Sequence, residues 1–160
     1  MSDSSYSGQR RSLLDWAALR ADLMPLRTFI VEDSPVIRES LVAALEEMVP
    51  MTVVGQAEDG PAALRWLEDP ANTCDLAIID IFLRGGSGMD VLRGLSERKH
   101  AVNRVVLTNY ATPDIKNRCL ALGASRVFDK SSEIDELVEY CQQLAGGASP
   151  ASGDGCGHAR

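Results

Sequence analysis

Short apolar runs alternate with helical stripes along most of the chain. The runs hold about four residues each and are bounded by polar positions, which is typical of strands buried on both faces of a sheet. Between them, apolar residues recur at spacings of three and four, as in helices with one buried face. The pattern predicts five strands, at 28–31, 51–54, 76–79, 104–107 and 125–129.

Local signals mark the starts of the intervening helices. Ser34 and Thr112 can each cap a helix and are followed by proline, whose fixed φ suits the first helical turn. Asp59 precedes a similar start, and Ser131 or Ser132 is expected to open the last helix. The helix that follows the first strand is expected to bury one apolar face, which consists of Val36, Ile37, Leu41, Ala44, Leu45 and Met48.

A strand followed by a helix, repeated five times, predicts an α/β fold with a parallel sheet and helices on both of its faces. The common solution for five strands is the flavodoxin-like, doubly wound order 2-1-3-4-5. We expect a disordered N-terminus at 1–11, a helical extension at 12–27, the domain at 28–145 and a disordered tail at 146–160. The extra N-terminal helix would dock on its own domain or pair with another chain.

Composition excludes several classes of partner. The net charge of −7 argues against direct binding to nucleic acid or to an anionic membrane surface. No apolar run approaches the roughly 20 residues of a membrane span, so membrane insertion is not expected. The start of the chain lacks the apolar core of a secretory signal, which favours a cytoplasmic location.

Chemically active side chains follow four of the predicted strands. Glu32 and Asp33 follow the first strand, Asp80 the third, Thr108 the fourth and Lys130 the fifth. The predicted order places the first and third strands side by side, so their carboxylates would meet at the switch point of the sheet. An oxygen-only set selects a hard cation, Mg²⁺ or Mn²⁺. A hydroxyl and an ammonium at the same rim suit the oxygens of a phosphoryl group.

These motifs resemble the receiver domain of bacterial two-component response regulators, over about residues 28–144. The matching segments, in the order of the family, are Phe29-Ile30-Val31-Glu32-Asp33-Ser34, Leu76-Ala77-Ile78-Ile79-Asp80, Val105-Val106-Leu107-Thr108 and Val127-Phe128-Asp129-Lys130. Gly88 also falls where the family commonly has glycine, eight residues after Asp80.

The resemblance implies a phosphoacceptor and a magnesium site. Asp80 would attack a phosphohistidine on a sensor histidine kinase or phosphotransfer protein and form an acyl phosphate. Asp33 and Asp80 would bind Mg²⁺ directly and Glu32 partly through water, and the backbone carbonyl of Phe82 would be a further ligand.

The resemblance also implies how phosphorylation is reported. Thr108 would bind phosphoryl oxygens and move inward, and Lys130 would pair with the phosphoryl group, or with Asp80 when that is unmodified. The surface made by the fourth helix, the fifth strand and the fifth helix would then change its affinity for partners. The chain would catalyse only its own phosphorylation and dephosphorylation, so we expect no enzyme in the usual sense.

Four positions depart from the pattern of the family. Val127 stands three residues before the lysine, where many members carry Tyr or Phe, and Ser131 stands where proline is usual. Arg84 replaces a frequent proline, and Asn109 replaces a small residue.

Two bulky residues stand near the reacting group in sequence. Phe82 and Tyr110 lie two residues after Asp80 and Thr108, at positions that line the approach of water in this family. Our hypothesis is that they crowd this water and slow hydrolysis of the acyl phosphate.

Neither extension has room for a DNA-binding or enzymatic domain, so a stand-alone receiver is expected. Its output would pass through a downstream protein of unknown identity, through a homodimer, or through onward transfer of the phosphoryl group. The alternatives are a degenerate receiver that binds partners without phosphorylation and a phosphatase of the haloacid-dehalogenase type. The phosphatase would need a second Asp where Phe82 stands.

Overall fold

Five parallel strands form one sheet in the order β2-β1-β3-β4-β5 in the computed structural model, which describes residues 25–98 and 101–146. The strands are β1 (Leu26–Val31), β2 (Met51–Ala57), β3 (Leu76–Ile79), β4 (Asn103–Thr108) and β5 (Arg126–Asp129). The helices are α1 (Pro35–Met48), α2 (Gly60–Glu68), α3 (Gly88–Glu97), α4 (Pro113–Ala121) and α5 (Ile134–Ala145). The flavodoxin-like order 2-1-3-4-5 predicted from the sequence is confirmed.

Two apolar cores lie on opposite faces of the sheet, because successive side chains along a strand point to opposite sides. Phe29 and Ile79 belong to the core that α2, α3 and α4 cover. Ile30 and Ile78 belong to the core that α1 and α5 cover. The sheet is therefore doubly wound, and its central strands β1, β3 and β4 are largely buried on both faces. No helix in the described part of the chain is both long and apolar enough to cross a membrane.

Several boundaries differ from the sequence prediction. β2 was predicted at 51–54 and extends to Ala57, whereas β4 is one residue longer than predicted at each end and β5 begins one residue later. β1 begins at Leu26, so Leu26 and Arg27, which we expected in the helical extension at 12–27, belong to the sheet and pair with Met51 and Thr52. The rest of the predicted N-terminal helix lies outside the described residues, as do residues 1–11 and 147–160.

The last helix begins later than predicted. Its N-cap is Glu133 and not Ser131 or Ser132. The hydroxyl and the backbone N–H of Ser131 both donate to Oδ1 of Asp129, the N–H at 2.8 Å, so this serine closes the turn after β5 instead of capping a helix.

Only part of the predicted apolar face of α1 is buried. Leu41 and Leu45 are buried, whereas Val36 and Ile37 are 73% and 41% exposed and Met48 is also exposed. The first turn of α1 borders a groove of about 400 Å³ on the side of Ile134, because α5 does not cover this turn. Helical spacing indicated the face correctly but not how far along the helix its neighbours extend.

Gly88, the first residue of α3, lies against the backbone that carries Asp80. A Cβ at Gly88 would lie 2.2 Å from the carbonyl oxygen of Asp80 and 2.8 Å from the Cα of Ile81. Both are backbone atoms and cannot move aside alone. Glycine is therefore required here by space, which gives a physical reason for the glycine noted in the sequence.

Replacing Gly88 by Ala is expected to lower the free energy of unfolding by about 1–3 kcal/mol, because the added methyl group must displace packed backbone. Urea denaturation measures this change. Gly146→Ala at the end of α5 is the matched control: φ there is −76° and the nearest atom would lie at an ordinary 3.4 Å. Equal stability of the Gly88→Ala variant and the wild type would show that the close approach is not a constraint.

Candidate functional site

The acids of the site emerge from neighbouring strands that end side by side. Val31, the last residue of β1, pairs with Ile79, the last residue of β3. The N–H of Asp80 donates to the carbonyl of Val31 at 3.0 Å, which continues the ladder up to the site. Glu32 and Asp80 thus leave the sheet together, as the predicted strand order requires.

Glu32, Asp33 and Asp80 form one carboxylate cluster. Each offers an oxygen within 4.8 Å of the others, and Glu32 and Asp80 are buried while Asp33 is half-buried. Three carboxylates this close repel one another unless cations or protons intervene. Oxygen ligands without His or Cys suit a hard divalent ion, so the residues present fit such an ion.

Lys130 connects two of these acids. Its Nζ lies 2.6 Å from Oε1 of Glu32 and 2.9 Å from Oδ2 of Asp80, and its side chain is only one-tenth exposed. The backbone N–H of Lys130 donates to the carbonyl of Thr108 at 2.9 Å, which extends the pairing of β4 and β5 by one residue. The lysine is therefore placed by the sheet itself.

Burial and the contacts within the cluster shift the pKa of Lys130 and of Glu32. Burial alone would lower the pKa of Lys130, but the hydrogen bonds and charges of Glu32 and Asp80 raise it above its ordinary value. Burial raises the pKa of Glu32, and the charge of Asp80 adds to this effect, although Lys130 opposes it. The cluster thus holds the lysine charged, favours a proton on Glu32 and suits a bound metal cation.

Asp33 has a different cationic neighbour. Its Oδ2 accepts a hydrogen bond from the backbone N–H of Arg84 at 2.9 Å and lies 3.7 Å from the Nε of the same residue. The sequence marked Arg84 as unusual but gave no indication of this contact, because it depends on the path of the loop between β3 and α3.

Thr108 is fully buried at the end of β4. Its Oγ1 accepts a hydrogen bond from the N–H of Tyr110 at 3.3 Å. The Tyr110 ring packs edge-on against that of Phe82 with centroids 5.0 Å apart, and both rings are about half exposed. The N–H of Phe82 donates to Oδ1 of Asp80 at 3.3 Å. The two residues noted in the sequence are thus one aromatic pair, and the role of the Phe82 carbonyl stays a prediction.

The loop after β5 is ordered without the usual proline. Ser131 closes it by donating to Asp129, and these hydrogen bonds lower the pKa of the Asp129 carboxyl. Val127 packs against one core and Phe128 belongs to the other, as strand alternation predicts. Phe128 therefore does not replace the aromatic residue that many family members carry at position 127.

Fold and cluster together define a class of protein. It is a doubly wound α/β domain with an oxygen-only cation site at its switch point and a buried lysine on the same rim, a set suited to phosphoryl groups. The response regulator receiver domain family matches residues 28–142. The chain belongs to this family, as the resemblance of its motifs predicted.

Curated relatives support the same assignment. The chain is 31% identical over 124 residues to a Bacillus subtilis (strain 168) protein named uncharacterized transcriptional regulatory protein YvfU, with 76% of this chain and 60% of that protein covered. It is 29% identical over 124 residues to the DNA-binding transcriptional activator DevR/DosR of Mycobacterium tuberculosis, with 78% and 56% covered. The chain thus spans somewhat more than half the length of these relatives.

Solved structures show the same architecture. The signal receiver domain of the putative response regulator NarL from Mycobacterium tuberculosis matches with a TM-score of 0.68 at 28% identity, over 77% of this chain and 98% of that one. The isolated receiver domain of RcsB from Salmonella enterica serovar Typhimurium matches with a TM-score of 0.69 at 22% identity, over 79% and 92%, and shows the fold alone.

Replacing Lys130 by Met is expected to lower the free energy of unfolding by about 1–3 kcal/mol in metal-free buffer, because Glu32 and Asp80 lose a buried partner. Urea denaturation with EDTA present measures the loss. Lys116→Met on α4 removes the same charge away from the cluster and serves as the matched control. An equal loss in both variants would remove the special role of Lys130.

The same contacts predict a pH dependence. Because the folded protein raises the pKa of Lys130 above 10.5, it holds this proton more tightly than the unfolded chain does. The stabilisation is therefore complete below pH 10.5 and is lost as the pH rises through the raised pKa. The difference in unfolding free energy between wild type and Lys130→Met should stay level from about pH 8 to about pH 10 and shrink above. Shrinkage already within that interval would contradict the raised pKa.

Proposed function

We propose that the chain accepts a phosphoryl group on Asp80 from a phosphohistidine of a sensor histidine kinase or phosphotransfer protein. A carboxylate oxygen of Asp80 forms the new bond to phosphorus while the bond from phosphorus to the histidine nitrogen breaks, and that nitrogen keeps the electron pair. The observation that supports this is the convergence of Asp80 with two further carboxylates and Lys130 at one sheet edge.

The carboxylates would hold Mg²⁺, with Mn²⁺ as the other suitable ion. In this proposal Asp33 and Asp80 bind it directly, Glu32 acts partly through water, and the carbonyl of Phe82 completes the protein ligands. When bound, the ion supplies positive charge to the oxygens of the phosphoryl group. The protein's own part is to position Asp80 and to keep the negative charge of the site low enough for the phosphoryl donor to approach.

Lys130 and Thr108 would bind the transferred group. Lys130 would exchange its contact with Oδ2 of Asp80 for one with a phosphoryl oxygen. The hydroxyl of Thr108 accepts from the N–H of Tyr110, which leaves its own proton free to donate. Thr108 can therefore bind a phosphoryl oxygen without giving up its present partner.

The output of the switch would be a change in protein partners. The name of the relative DevR/DosR describes a DNA-binding activator, but this chain covers only 56% of that protein. We propose a downstream protein or a homodimer as the target, and no direct contact with nucleic acid, because the net charge is −7. The chain would catalyse only its own phosphorylation and dephosphorylation, and a cytoplasmic location remains the proposal.

Acetyl phosphate with Mg²⁺ tests the central step. Intact-mass spectrometry is expected to detect one added phosphoryl group on the wild type and none on Asp80→Asn, because the amide cannot act as the nucleophile. No adduct on the wild type, or an unchanged adduct on Asp80→Asn, would overturn the assignment of Asp80.

The same measurement separates a phosphorylated receiver from a degenerate one, whereas the residue at position 82 argues against a phosphatase. A degenerate receiver would take up no phosphoryl group, and the assembled acids and lysine do not favour it. A phosphatase of the haloacid-dehalogenase type would need an acid two residues after its nucleophile, where Phe82 stands half exposed.

The aromatic pair is expected to prolong the life of the acyl phosphate. Phe82→Asn and Tyr110→Glu should each shorten the half-life roughly three- to tenfold, because they open the space that the attacking water needs. The decay of phosphorylated protein in Mg²⁺ buffer, after acetyl phosphate has been removed, is followed by intact mass and gives the half-life. Tyr110→Phe keeps the ring and is the matched control. Unchanged half-lives in both Phe82→Asn and Tyr110→Glu would contradict the hypothesis.

A further inference from the structure

Two cations divide the carboxylate cluster between them. Lys130 binds Glu32 and Asp80, whereas Arg84 contacts Asp33 through its backbone N–H and its guanidinium. The arrangement leaves one negative charge uncompensated among the five groups. Each acid of the cluster therefore has a positive neighbour within the chain before any metal ion arrives.

The backbone around Arg84 is fixed by hydrogen bonds, whereas its side chain is mostly exposed. The loop that carries Arg84 is fixed by its neighbours, because the carbonyl of Gly85 accepts from the N–H of Gly60 at 2.9 Å and the N–H of Gly88 donates to Ile81 at 3.0 Å. The side chain of Arg84 is 81% exposed. Its removal would therefore leave the loop and the backbone hydrogen bond to Asp33 in place while removing one positive charge.

We propose that Arg84 is a positioning residue that lowers the affinity of the cluster for a divalent cation by acting through Asp33. The inference deepens the proposed function, on whose Mg²⁺ site it rests. A metal ion bound to Asp33 would lie close to the guanidinium of Arg84, and two positive charges that are close together repel each other. The guanidinium also attracts Oδ2 of Asp33, the acid that no lysine contacts among the described residues.

The exposure of Arg84 limits the size of the effect. Water screens the charge of an exposed side chain, and exposed ion pairs are worth little. We therefore expect a change of about two- to fivefold in the dissociation constant for Mg²⁺, not a change of orders of magnitude. An electrostatic effect of this kind must also weaken with salt, because the screening length falls from about 10 Å at 0.1 M to about 3 Å at 1 M.

Isothermal titration of the unphosphorylated full chain with MgCl₂ tests the inference. Arg84→Ala is expected to bind Mg²⁺ about two- to fivefold more tightly than the wild type in low salt, and the difference should mostly vanish near 1 M salt. Arg84→Lys keeps the charge and should remain near the wild type. Arg93→Ala is the matched control, since it removes an exposed arginine that pairs with Asp90 on α3 at 2.8 Å.

The outcomes separate this inference from the proposed function. An affinity of Arg84→Ala equal to or weaker than that of the wild type would overturn the role of Arg84 while leaving the Mg²⁺ site intact. An equal gain in Arg93→Ala, or a gain that persists in high salt, would also overturn it. If the wild type bound no Mg²⁺, the proposed site would fail and this inference with it.

Discussion

A lysine that reaches back across the sheet makes the acidic site compatible with a folded protein. Lys130 leaves the end of β5, the last strand at one edge, yet its ammonium lies between Glu32 after β1 and Asp80 after β3. Without it, two carboxylates would be buried side by side with no positive charge between them. The strand order brings the acids together, and the lysine offsets much of the repulsion that this order creates.

Most of the fold and the centre of the site could be predicted because both follow from short-range patterns. Apolar runs gave the five strands, and the rule for parallel sheets placed the ends of β1 and β3 next to each other. The positions of Glu32, Asp80 and Lys130 then required only that each follow its strand directly. The regular backbone of the strands sets the positions of such residues, so their contacts depend little on the conformations of the loops.

The features that the sequence did not reveal depend on the paths of loops or on how far along a helix its packing partners extend. The contact of Arg84 with Asp33 requires a particular path between β3 and α3. Val36 borders an open groove that is also lined by Ile134, the first residue of α5, and Ser131 is engaged in a turn before that helix begins. Helical periodicity identifies the face of a helix but carries no information about the length of its neighbour. These errors therefore lie at the ends of elements and not in their order.

The remaining question is how a change at Asp80 reaches the surface when residue 127 is Val. Thr108 is joined to Tyr110 by a hydrogen bond, and Tyr110 packs on Phe82, whose N–H contacts Asp80. These contacts form a path from Thr108 to the acceptor Asp80 that passes through two exposed rings. A movement of Thr108 toward a phosphoryl group would pull the backbone of Tyr110 with it and change the ring contact directly. In this chain the surface would then sense the site through Phe82 and Tyr110, in the loops after β3 and β4, without an aromatic residue at position 127.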